Sequence, residues 1–344
     1  MTRYGALILV ILFSISIPKG YYSGSHIVAL CLPFLALEEI RSRARFIVVL
    51  VLVFIGILNF NITTVLFSFF YIFYFLLNHD EVKHGHDKLL FYGIFFIMLT
   101  FYAQMQYNRE LLWADLPFFN RRVTLANWDS NFSALLCLVL IYLNSTSKHK
   151  WKWLNEAGLL FFIMLTVSRT GLLCYFFYKI IDLSPPILKR LSLKINLVLV
   201  LFVFNAGYIA YSNYLANEFN LQEIVRQGFD IYDGSTVGRF LGVNQSYNFI
   251  TENWEAHLFD GLGTEYLDKG NLKPHNTVAN LALQIAILPT FLILFLYFDL
   301  LNRLKSEKNI AIIVPYILFT IPLHSIVLPF YFLPVFISVI RRNK

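Results

Sequence analysis

Apolar residues in this chain arrive in blocks, one after another, and that recurrence limits what it can fold into more than any other feature. The blocks occupy 4–18, 26–37, 46–60, 62–77, 89–104, 130–143, 153–167, 171–181, 195–211, 277–296, 310–322 and 325–340. Each is too long for a single buried strand, and most are separated from the next by a short charged or Pro/Gly-containing connection, a pattern that predicts helices. With 58% apolar and only 14% charged residues and a mean hydropathy of +0.62, the composition lies far from that of an ordinary soluble domain. The expectation is therefore an all-α, polytopic integral membrane protein of about twelve transmembrane helices. Several blocks fall short of the roughly 20 residues that cross a bilayer, so flanking aromatics must extend them or the bilayer must thin.

Charge placement gives this expectation an orientation. On a twelve-span topology most of the 28 lysines and arginines collect on one face, in clusters such as Arg41, Arg43 and Arg45 or Lys148, Lys150 and Lys152. Positive short loops mark the inner face, so the net charge of +7 is an inner-face property and does not point to nucleic acid. Cys31, Cys137 and Cys174 fall inside apolar blocks and read as small buried residues rather than as disulfide or metal ligands. The predicted organisation is nine transmembrane helices in 1–211, a large outer loop in 212–276, and three transmembrane helices in 277–344.

The polar segment 212–276 interrupts this pattern and concentrates the candidate chemistry. It contains Gly234-Ser235-Thr236-Val237-Gly238-Arg239, then Gly261-Leu262-Gly263, then Pro274-His275-Asn276 immediately before the next apolar block. Residues 240–254 carry apolar side chains at near-helical spacing, which predicts an amphipathic helix capping a cavity or lying on a surface. Arg239 is suited to a phosphate because its planar fork donates two parallel hydrogen bonds and stays charged. His275 precedes a helix start capped by Asn276 or Thr277, where the helix dipole favours the neutral imidazole that a general base requires. Arg169, in Ser168-Arg169-Thr170 between two apolar blocks, is either an anion ligand or an arginine that merely ends a helix. Structural roles for Arg239 and His275 remain open on the same residues. No phosphate-cradling glycine loop, nucleophile elbow or metalloprotease helix is present.

Three elements in order, Thr166-Val167-Ser168-Arg169-Thr170-Gly171, Gly238-Arg239, and Gly261-Leu262-Gly263 leading to His275-Asn276-Thr277, resemble the O-antigen polymerase and O-antigen ligase superfamily of bacterial surface-polysaccharide enzymes. Trp128-Asp129-Ser130-Asn131-Phe132 adds a weaker match, so the resemblance covers roughly 128–296. It implies a glycosyltransferase of the inner membrane, acting at the periplasmic face without metal or cofactor. Its substrate would be a glycan on undecaprenyl diphosphate, its surroundings the lipid bilayer, and a chain-length regulator a further partner. By the same resemblance Arg169 and Arg239 hold the diphosphate and His275 activates the acceptor hydroxyl. Polymerisation of repeat units is the first expected activity; ligation of the glycan to lipid A core and transport of a lipid-linked oligosaccharide are the alternatives.

Overall fold

The computed structural model describes residues 87–107, 130–218, 234–307 and 309–320, together with five isolated positions between Ile47 and Ile57. Every regular element among the described residues is helical: α1 (Asp87–Tyr107), α2 (Ser130–Ser145), α3 (Lys152–Leu165), α4 (Arg169–Leu183), α5 (Pro186–Leu193) and α6 (Leu197–Glu218). There follow α7 (Gly234–Glu252), a 3-10 turn (Ala256–Leu258), α8 (Gly263–Asp268), α9 (Thr277–Ile285), α10 (Ile287–Leu304) and α11 (Ile310–Thr320).

The first half is organised around α2, buried along its whole apolar length from Ala134 to Leu143. A helix that is apolar all round belongs in a core, and α1, α3, α4 and α11 pack on it. Two asparagines join three of these helices: Asn155 Nδ2 donates to the Phe91 carbonyl at 3.0 Å, and Asn144 Nδ2 donates to the Lys152 carbonyl at 2.7 Å. The sharp corner from α3 into α4 is set locally. Val167 takes a left-handed φ of 50°, and Ser168 then caps α4 by accepting from Gly171 N at 3.0 Å. The Ser168 hydroxyl donates onward to Asn131 Oδ1 at 2.7 Å. A Cβ on Gly171 would lie 2.4 Å from the Ala134 Cβ, so glycine is what lets α4 approach α2.

The second half sets α7 and α10 against α6, with α9 packed on α7 and α10 and α8 packed on α9. Lys305, after the end of α10, donates to the carbonyls of Leu193 and Ile195, joining the end of α10 to the connection between α5 and α6.

The expectation of twelve transmembrane helices is corrected here. Among the described residues α6 alone is long and apolar enough to cross a membrane, or two spans if α4 and α5, bent by 113°, count as one. The apolar stretches of α1, α2 and α10 extend only over Lys88–Ala103, Ser133–Ser145 and Ile287–Asp299, and at 1.5 Å per residue the 14 residues of α3 reach about 21 Å against a hydrocarbon core of about 30 Å. The block at 277–296 divides into α9 and α10 at Ala286. What composition suggested was lipid-facing surface is in α2 the inside of a helix bundle. The readings that depended on twelve spans are corrected with it: the lipid bilayer and an undecaprenyl-linked glycan held in it as partners, a multi-pass inner-membrane location, and polymerisation of that glycan at a periplasmic face. The blocks at 4–18, 26–37, 62–77 and 325–340 lie outside the described residues.

Candidate functional site around α8 and α9

The polar segment 212–276 is largely helical where it is described: its beginning completes α6, and it then supplies α7, the 3-10 turn and α8. These elements are held together by backbone contacts that only glycine permits. A Cβ on Gly242 of α7 would stand 2.9 Å from the Lys273 carbonyl, and one on Gly261 would stand 2.2 Å from the Gln284 carbonyl of α9. Tyr266 of α8, fully buried, donates its hydroxyl to the Leu272 carbonyl at 2.6 Å and lies 3.2 Å from the Gly242 carbonyl. Burial raises the Tyr266 phenol well above its ordinary range, so it remains a donor at any physiological pH. Leu272 N in turn donates to Gln245 Oε1 of α7 at 2.9 Å.

A cavity of about 370 Å³ opens between these elements. Gly261, Gly263 and Pro274 shape its walls, Leu267 and Leu283 give it apolar surface, and Thr264, Asp268, Lys273, Asn280 and Gln284 bring polar groups to it. Asn280 and Gln284 stand one turn apart on the same face of α9, and Asn280 is buried. The mixture of hydroxyl, amide, carboxylate and ammonium groups over a small apolar floor suits a small polar ligand with several hydroxyl groups.

Asn276 caps α9: its Oδ1 accepts from Ala279 N at 2.9 Å, and its Nδ2 donates to Asn205 Oδ1 of α6 at 2.9 Å. His275 is therefore half-buried at a genuine helix start, between the cavity residue Pro274 and the cap. Arg239 lies on α7, half-buried, close enough to Tyr208 of α6 for its charge to act on that phenol. Its Nε is buried with no hydrogen-bond partner, a state that costs free energy unless something supplies an acceptor. Arg169, by contrast, is exposed as the first residue of α4, which packs against α2 and α11. Arg239 and His275 thus belong to neighbouring, mutually packed elements, Arg169 sits on the other half of the bundle, and none of the three lines the cavity. No match is found. That holds for protein-family models, curated proteins and solved structures alike.

Three residues here gave little signal in the sequence. His257, in the 3-10 turn, is completely buried, and neither ring nitrogen meets a partner at hydrogen-bonding geometry. Burial holds its imidazole below the ordinary range, with the backbone of Asp260 and Ala282 acting in the opposite sense. The Asn280 and Gln284 pair could have been read as a polar stripe on an otherwise apolar helix, four residues apart. Among the described residues no group of three or more His, Cys, Asp or Glu side chains could hold a metal ion.

Proposed function

We propose that the cavity between α8 and α9 binds a sugar, and that the chain is an enzyme of the glycosyltransferase class acting on a diphosphate-linked sugar. What supports this reading is that Gly261 and Gly263, two residues of the motifs that resemble polysaccharide enzymes, are walls of one cavity whose remaining lining is rich in hydroxyl and amide groups. On this reading Asn280, Gln284 and Asp268 take the sugar hydroxyls. The buried, unsatisfied Nε of Arg239 is offered to the diphosphate, where a fixed guanidinium favours the charge that builds on the leaving group. His275, at the start of α9, serves as the base for the acceptor hydroxyl. Repeat-unit polymerisation and a lipid-embedded setting form no part of this proposal.

The test uses N-acetylglucosamine and inorganic pyrophosphate as separate probes, followed by isothermal titration and by nuclear magnetic resonance. Asn280→Leu is expected to abolish the sugar response and leave that to pyrophosphate, while Arg239→Met does the reverse. Failure of both probes to bind, or binding indifferent to these substitutions, would refute the reading.

A further inference from the structure

The block from 277 to 296 reads as a single helix by composition, yet it folds as parts of two, divided at Ala286. That alanine is completely buried and holds φ 80° and ψ 168°. This backbone region is essentially reserved for glycine, because a Cβ there crowds the adjoining peptide groups. The break is closed by three bonds: Ala286 N donates to the Ala282 carbonyl at 2.9 Å, and the Ala286 carbonyl accepts from Thr290 N at 3.3 Å and from Thr290 Oγ1 at 2.7 Å.

Pro289 supplies the reason for a break. In the first turn of α10 its missing N–H is no loss. In a continuous helix its ring would strike the Ile285 carbonyl and leave that carbonyl without its helical donor. The chain therefore has two ways to accommodate Pro289: a broken helix with a strained alanine, or a continuous helix kinked at proline. Each carries one local penalty, and the two penalties are of similar size.

What lies on the short side of the break is α9, which carries Asn280, Leu283 and Gln284, one wall of the cavity. We infer that Ala286 is a hinge with two populated positions, and that α9 turns on it as a unit, closing the cavity against α8 in one position and opening it in the other. The contact between Gly261 and the Gln284 carbonyl is the stop that defines the closed position. This device is independent of which ligand the cavity takes.

The experiment places trifluoromethyl-phenylalanine at Gln284, whose side chain is exposed, and records fluorine resonances of the full chain. Two resonances are expected in the parent. Ala286→Gly removes the strain of the broken form and should shift the population toward one resonance by about tenfold. Pro289→Ala removes the obstacle to a continuous helix and should shift it by a similar factor toward the other. A single resonance in the parent and in Ala286→Gly, or shifts in the same direction for both substitutions, overturns the hinge. Should Pro289→Ala fail to fold, the comparison of the parent with Ala286→Gly decides the matter alone.

Discussion

Substituting alanine for Gly261 tests the architecture of the candidate site at its tightest point. The new Cβ would stand 2.2 Å from the Gln284 carbonyl oxygen, 2.6 Å from its carbon and 3.2 Å from Ile285 N, all of them backbone atoms. Ordinary contact begins at 3.4 Å, so the oxygen is more than an ångström too close and no side chain can rotate away to relieve it. Relief requires the 3-10 turn and α9 to separate, loosening the packing of Phe249, Tyr266 and Leu283 that lies beneath them. Overpacking of this kind costs about 1–3 kcal/mol, and a clash with backbone on both sides belongs at about 3 kcal/mol. Gly238 is the internal control: it lies within α7, and a Cβ there meets nothing within 4 Å. Gly238→Ala should stabilise the chain by about 0.5–1 kcal/mol through helix propensity alone. Urea unfolding monitored by helical circular dichroism reads both. With a slope of about 3 kcal/mol per molar urea, the midpoint should fall by about 1 M for Gly261→Ala and rise by about 0.2–0.3 M for Gly238→Ala. A Gly261→Ala variant within about 0.5 kcal/mol of the parent would mean that Gly261 is not seated on α9, and the cavity wall would have to be redrawn.

Asn276→Ala removes the cap of α9 and leaves Asn205 without the donor it accepts from, so a loss of about 2–3 kcal/mol is expected by thermal or urea unfolding; a loss under about 0.5 kcal/mol would refute the pairing. His257 makes stability depend on pH with a definite sign. Its folded-state pKa lies below the unfolded value of 6.5, so near and below that pH the unfolded chain holds a proton that the folded chain does not. The contribution of the buried neutral ring is complete above pH 6.5 and is lost as pH falls toward the folded value. His257→Leu should therefore flatten the decline in unfolding midpoint between pH 7.5 and 5.5, and an unchanged decline would contradict the burial of the ring.

Local punctuation in this sequence was legible, because it acts through neighbours in the chain. Ser168 and Asn276 occupy the cap positions their types favour, and Gly261 and Gly263 sit where the backbone must pass close to another segment. The amphipathic stripe at 240–254 falls within or just after α7, although the helix begins earlier, at Gly234. Fold-scale organisation was not legible from apolar content, since a hydrophobic block is written the same way whether lipid or other helices surround it. The run from Ala134 to Leu143 is the clearest instance. The division at Ala286 was missed for a different reason: alanine favours helix, and the signal lay three residues on, in Pro289. Of the cavity, Gly261, Gly263 and Pro274 stood out in the sequence as local punctuation and not as lining, while Arg169, Arg239 and His275, the expected site residues, do not line it. Asn280 and Gln284 meet Asp268 and Lys273 only through tertiary packing, which no short motif records.

The two asparagine pairs on α6 bear on a problem common to long greasy helices, which can slide along their neighbours at little cost. Asn205 bonds to Asn276 and Asn213 accepts from Asn244, and the two α6 residues are roughly two turns apart. Moving α6 by one turn in either direction would break both amide pairs at once and bury their groups unsatisfied, a penalty that no rearrangement of the apolar contacts could recover. The pairs therefore work as a vernier, giving α6 a single register against α7 and, with α9 in its closed position, setting where His275 stands along the helix bundle.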